Sequence, residues 1–299
     1  MGTVYAVEDH DLRRQVALKV LSTRISDDAR GRILREARIL ARLEHPGVVP
    51  VHDVLRLPDG RIAYSMKLVQ GQRLDEHLQR VRGLRERLRI LERICEAVAF
   101  AHARGVIHRD LKPSNVMVGP FGEVLVMDWG VAKLLDDAAH SAPLPHDEPA
   151  EINEYAETLT APGLEDGAAG HTRPGTILGT PGFMSPEQRA GQLELVDGRT
   201  DVYALGVILD TLMREASQPA PRRLQAIAQK ALAPLESRYA NVDSLASDVS
   251  HFLDDGPVSA YRETPFETVV RIVNRYRGPI VLLLTYLILR GLMLTFAGD

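Results

Sequence analysis

Cysteine is nearly absent from this chain. Cys95 is the single one in 299 residues. One thiol closes no intrachain disulfide and supplies no zinc set. Its setting, Ile94-Cys95-Glu96-Ala97-Val98, reads as helical, so a small buried core residue is expected rather than a redox site. A large charge imbalance is missing as well. The formal net charge of −4 argues against a dominant nucleic-acid partner, and none is expected. The start, Met1-Gly2-Thr3-Val4, has no basic region followed by an apolar run, so it does not read as a signal peptide. What remains is ordinary: 45% hydrophobic and 25% charged residues fit a globular protein, long enough for one sizeable domain and a tail.

Hydrophobic patterning outlines the elements. Residues 3–8 and 15–21 are β-rich and joined by the polar turn Asp9-His10-Asp11. Residues 27–43 read as a helix, with Ile33, Leu34, Ala37, Leu40 and Ala41 on one stripe. Val51–Leu57 and Ile62–Met66 read as a hairpin around Pro58-Asp59-Gly60. Residues 84–104 read as a long helix with Leu84, Leu88, Leu91, Ile94, Cys95, Val98 and Ala101 inward. Its arginines, Arg85, Arg87, Arg89 and Arg93, are expected to form a solvated face. Val116–Val118 and Val124–Met127 flank Gly119-Pro120-Phe121-Gly122 as another hairpin.

The chemistry concentrates in His108-Arg109-Asp110-Leu111-Lys112-Pro113-Ser114-Asn115, followed by Asp128-Trp129-Gly130. Asp110 is placed to orient a hydroxyl and accept its proton, and Lys112 to neutralise a transferring phosphoryl group. Asn115 and Asp128 offer the oxygen ligands that a hard cation such as Mg²⁺ prefers. Upstream stands Val16-Ala17-Leu18-Lys19, with Glu36 17 residues further on in a helical stretch. Downstream stand Gly179-Thr180-Pro181-Gly182-Phe183-Met184-Ser185-Pro186-Glu187, Asp201-Val202-Tyr203-Ala204-Leu205-Gly206 and Arg238-Tyr239. This ordered set resembles the protein kinase signature over about residues 1–254, in particular the bacterial, membrane-linked, eukaryotic-type (Hanks-type) serine/threonine kinases.

The resemblance implies an α+β, two-lobed kinase fold: a small β-rich lobe at 1–66 without its first strand, a hinge at 67–70 and a helical large lobe at 71–254. It implies transfer of the ATP γ-phosphoryl group to Ser/Thr hydroxyls of protein substrates, including the chain itself by self-association in trans. Asp110, Lys112 and Asn115 are then the catalytic set, and Asn115 and Asp128 hold Mg²⁺ or Mn²⁺. Lys19 binds the α/β-phosphates and pairs with Glu36. Gly2, Val4 and Ala17 line the nucleotide site. Met66 is the gatekeeper, Lys67 and Val69 bond the adenine edge, and Met117 forms its floor. Asp201 braces the catalytic-loop backbone, and Arg238 forms a buried pair with Glu187.

Three departures are visible. The glycine-rich loop that covers the phosphates keeps only Gly2 and Val4. Trp129 stands where the family has Phe. Only 37 residues separate Asp201 from Arg238, so a substrate-docking helix is expected to be missing. The second reading, motivated by the first and third, is a membrane-anchored pseudokinase acting as a scaffold.

Two segments lie outside the signature. Residues 136–174 carry nine acids against Arg173 alone, and read as a mobile insertion in an activation segment whose ends, Asp128 and Glu187, are 59 positions apart. Arg109 can pair with a phosphate on it, with Thr172 and Thr176 ahead of Thr158 and Thr160 as acceptors, while Thr180 contacts Asp110 and Lys112. The tail turns apolar at Pro279. Residues 255–278 read as a juxtamembrane segment and the 19 residues 279–297 as a single-pass span in the cell membrane, with an interfacial or helix-pairing segment as the alternative. Arg271, Arg275 and Arg277 would set the kinase side in the cytoplasm, while Arg290 counts against a plain span.

Overall fold

The computed structural model describes residues 2–21, 37–59, 61–129, 133–134, 181–216 and 219–296. Glu36, Gly130, Gly179, Thr180, the insertion at 136–174 and the candidate acceptors Thr158, Thr160, Thr172 and Thr176 therefore lie outside the described residues.

Four antiparallel strands build the small lobe: β1 (Gly2–Asp9), β2 (Arg14–Leu21), β3 (Val51–Arg56) and β4 (Ile62–Lys67), in the order β1-β2-β4-β3. The β1–β2 turn closes because the Asp9 carboxylate accepts the Leu12 amide and the Arg14 side chain, while Arg13 takes φ 50°. The middle strands carry the core. Val16, Ala17, Val20, Ala63, Tyr64 and Met66 are buried, whereas Val4 and Tyr5 on the edge strand remain exposed. Residues 37–42 are helical and bury Ala37, Ile39 and Leu40.

The large lobe follows. It contains β5 (Gln72–Arg73), α1 (Leu74–His77), α2 (Leu84–Ala103), β6 (Val106–Ile107), β7 (Val116–Val118), β8 (Val124–Val126) and β9 (Lys133–Leu134). After the insertion come α3 (Pro186–Arg189), α4 (Gly198–Arg214), α5 (Arg222–Ala231), α6 (Val242–Leu253), α7 (Pro265–Arg275) and α8 (Arg277–Phe296). Helix α2 is the spine: Leu88, Leu91, Ile94, Cys95, Val98 and Ala101 have no solvent exposure, and α4 and α6 pack on it. Among the described residues no helix stands between α4 and α5.

Arg87 corrects the reading of the α2 arginines. It is 2% exposed, and its guanidinium donates to the carbonyls of Leu78, Val81 and Leu212. Arg87 stands three residues after Leu84 and four before Leu91, on the inward stripe, so its charge had to be buried and its donors saturated. The membrane-spanning expectation is also unmet. Residues 277–296 are helical, yet among the described residues no helix is long and apolar enough to cross a membrane. Arg277 and Arg290 bracket the apolar run. The 11 residues Pro279–Leu289 span about 16 Å as a helix, well short of a hydrocarbon core of about 30 Å.

Candidate active site

The short strand β6 delivers His108, whose position follows from burial. Its ring has no exposure, bonds the Met127 carbonyl through Nε2 at 2.9 Å, and packs against Trp129 at 4.6 Å between centroids. Trp129 is itself buried and donates Nε1–H to the Val126 carbonyl at 3.2 Å, so the indole fills the apolar place expected of a Phe. Beneath them lies Asp201 of α4, fully buried. One of its carboxylate oxygens accepts the His108 amide and bonds His102 Nε2, both at 2.8 Å, and the other accepts the Arg109 amide at 2.8 Å. Burial alone would raise its pKa. The His102 hydrogen bond, with the nearby His102 and His108, outweighs burial and holds the carboxyl below its ordinary value. These bonds fasten a loop in which Arg109 adopts φ 70°, a strained conformation for a long side chain.

With the loop fixed, the chemistry-bearing residues converge. Lys112 Nζ lies 2.8 Å from Asp110 Oδ2. The Asn115 amide nitrogen donates to the Asp110 carbonyl at 2.8 Å and to Oδ2 at 3.2 Å. A single 3₁₀ turn, Pro113–Asn115, brings Asn115 back over Asp110. The Met127 amide donates to the Asn115 carbonyl at 2.8 Å, which sets Asp128 beside it. Asp128, at φ 58°, then meets Lys19 of β2: Nζ to Oδ1 is 3.2 Å across 109 residues of sequence. Partial desolvation would raise the Asp128 pKa, but the Lys19 charge and hydrogen bond prevail and keep it ionised.

This donor set fits a hard divalent cation. Because its nitrogen is committed to Asp110, Asn115 presents Oδ1, and Asp128 presents an ionised carboxylate. Two protein oxygens completed by water and substrate phosphates are what Mg²⁺ accepts.

The residues expected to face a nucleotide are placed as follows. Ala17 is buried in register with Met66, and Lys19 in register with both Val4 and Tyr64. Gly2 and Val4 sit within strand β1 rather than in a loop. The Lys67 amide donates to the Pro50 carbonyl at 3.1 Å, and Val69 and Met117 pack partly buried against the core. Sequence reasoning missed three contributors. His102 bonds Asp201, and Tyr64 sets its ring 5.9 Å from Lys19 Nζ. Gln188 donates to the Arg109 carbonyl at 2.9 Å and caps α3 with Ser185. Only Gln188 carried a local signal, standing three residues after Ser185 in a capping-box spacing.

Residues 1–255 match the protein kinase domain. The chain belongs to this family. Among its relatives is the serine/threonine-protein kinase PknD of Protochlamydia amoebophila, 30% identical over 300 residues, covering 85% of this chain and 29% of the relative. PknD of Chlamydia trachomatis serovar D is 36% identical over 225 residues, covering 70% of this chain and 23% of the relative. PknD of Chlamydia caviae is 35% identical over 299 residues, covering 86% and 30%. These relatives place the domain among the bacterial Hanks-type serine/threonine kinases. The chain spans under a third of the length of each.

The family casts the geometry in roles. The expected buried pair is present: Arg238 Nη1 lies 2.8 Å from Glu187 Oε1.

Proposed function

We propose that this chain transfers the γ-phosphoryl group of ATP to serine or threonine hydroxyls of proteins. The observation that carries the reading is the joining of two clusters, Lys112–Asp110–Asn115 and Lys19–Asp128, by the Met127–Asn115 backbone bond. Asp110 orients the acceptor hydroxyl and takes its proton, and Lys112 offsets charge on the phosphoryl oxygens. Lys19 aims at the nucleotide phosphates. Mg²⁺, when held by Asn115 Oδ1 and Asp128, supplies charge neutralisation on the phosphates.

Protein substrates, phosphorylation of one copy by another and association with a membrane complete this reading. Because the apolar run is too short to cross, the membrane association is of a surface kind, through the C-terminal helices.

The test is phosphate incorporation from Mg-ATP into the chain and into a basic Ser/Thr substrate. Asp110→Ala is expected to cut the rate by about 10²–10⁴-fold with the melting temperature unchanged. Wild-type rates in that variant would refute the role of Asp110. ATP binding without any transfer would favour the scaffold reading.

A further inference from the structure

Helix α7 is amphipathic with its faces reversed. A surface helix usually turns its apolar stripe to the core and its charges to water. Here the polar side faces the domain. Arg271 donates Nε to both oxygens of Glu263 at 2.8 and 2.9 Å, and Nη1 to the Asp255 carbonyl at 3.3 Å. Glu263 also pairs with Arg223 of α5 at 3.1 Å, and both its carboxylate and the Arg271 guanidinium are largely buried. Glu267 accepts from Tyr261 Oη at 3.0 Å and closes a capping box with Thr264. The apolar side faces outward: Phe266 is 77% exposed and Val269 58%, and Val270, Ile272, Val273 and Tyr276 are also exposed. Six large apolar side chains on a helix fastened by its polar face form a patch that a monomeric protein in water does not present without a partner.

We propose that this face of α7 lies in the plane of an anionic lipid surface. The proposal rests on, and sharpens, the surface-attachment reading above. Two observations select this occupant. First, beyond the paired Arg271, the chain carries three arginines (Arg275, Arg277, Arg290) and no acid up to Gly298. A run of that net charge is drawn to negative headgroups and repels a second copy of itself. Second, α8 continues the patch without choosing a side. Every described side chain from Val281 to Leu289 is exposed, with Leu282 at 73%. A fluid apolar phase covers all sides of such a helix; the face of a single partner protein covers one. Since the Arg223–Glu263–Arg271 cluster ties α7 to α5, lipid binding fixes how the whole large lobe is turned toward the surface.

Flotation of the 299-residue chain with phosphatidylcholine vesicles, with and without phosphatidylglycerol, tests this. Binding is expected only with the anionic vesicles and is expected to fall as salt rises. The double variant Val269→Asp/Val273→Asp is expected to bind at least tenfold more weakly, and Arg275→Gln/Arg277→Gln several-fold more weakly, both with wild-type phosphate transfer as the sign of an intact fold. Undiminished binding by Val269→Asp/Val273→Asp would overturn the placement of α7 and leave membrane attachment standing through α8. A lipid-independent dimer that Val269→Asp/Val273→Asp dissociates would overturn it in favour of a second copy. No binding by the wild type to either vesicle would overturn both this proposal and the attachment reading beneath it.

Discussion

A buried carboxylate is costly unless each oxygen finds donors, and three acids of this chain meet that demand in different ways. Asp201 takes two loop amides and a histidine. Asp248 takes the Tyr239 hydroxyl, the Ser259 amide and hydroxyl, and the Ala260 amide. Glu187 takes a guanidinium: Arg238 reaches both its oxygens, and Thr200 Oγ1 adds a bond at 3.3 Å. Arg238 is as buried as its partner, so removing the acid strands a charge. Glu187→Ala is expected to lower unfolding free energy by about 3–5 kcal/mol, read from urea midpoints at neutral pH. The pair also has a pH signature. Burial pushes Glu187 up, but Arg238 and Ser185 pull it lower, and its pKa ends below the ordinary 4.5. A depressed acid contributes its full stability above the ordinary value and loses it as pH falls through the depressed one. The gap between wild type and Glu187→Ala is therefore expected to hold from pH 7 to about 5 and to narrow below 4.5; a constant gap down to pH 3 would contradict the assignment.

Between elements, close approach sets the geometry that these residues rely on. Gly206 of α4 faces α5 so tightly that an added Cβ would sit 2.7 Å from Ala231 Cβ and 3.2 Å from Leu232 Cδ2. Gly206→Ala is expected to force α4 and α5 apart at a cost of about 1–3 kcal/mol. Since α4 holds Asp201, phosphate transfer should fall along with the denaturation midpoint; a variant as stable as wild type would show that the helices yield more easily than their packing implies. Contacts like this explain which parts were legible beforehand. Asp110, Lys112 and Asn115 lie within one loop, and their spacing alone brings them together. The Arg238–Glu187 pair spans 51 residues, and only resemblance to a known arrangement could join it; the Lys19–Asp128 pair, across 109 residues, was not expected, since the resemblance pairs Lys19 with Glu36. Arg87 was legible from helical period, since it stands in line with Leu84 and Leu91, but its charge suggested solvent. His102 was not legible: its partner Asp201 lies 99 residues on, and one histidine near a helix end carries no pattern of its own.

At the scale of the molecule, the domain does not stop where its signature stops. The motif pattern ended near Asp254, yet the chain beyond is stitched back onto the large lobe. Ser259 and Ala260 satisfy Asp248 of α6, and Val258 is buried in the core cluster. Lys230 of α5 donates to Ser259 Oγ at 3.0 Å while lying over the Tyr239 ring. The Arg223 guanidinium donates to the Gly256 carbonyl, and Glu263 and Arg271 close the arrangement. None of this has a sequence signature: two of the four groups that Asp248 recruits are backbone amides, which any residue supplies. A chain ended at Asp254 would leave Asp248 with Tyr239 alone. Tyr239, whose hydroxyl is driven well above its ordinary pKa by burial and by Asp248, cannot satisfy a second buried oxygen. Ending the chain there is expected to cost about 3 kcal/mol relative to a chain ended at Tyr276, from the lost donors to a buried charge together with the uncovered core. The comparison of the two urea midpoints checks it, and Asp248→Asn separates the causes. In the longer chain Asp248→Asn should cost stability, because it removes the charge that residues 259–260 serve. In the shorter chain it should recover part of the loss, because the charge left without donors is gone. Equal midpoints for the two chain lengths would mean that residues 255–276 merely rest on the lobe, and the fixed turn of α7 against α5 would lose its footing.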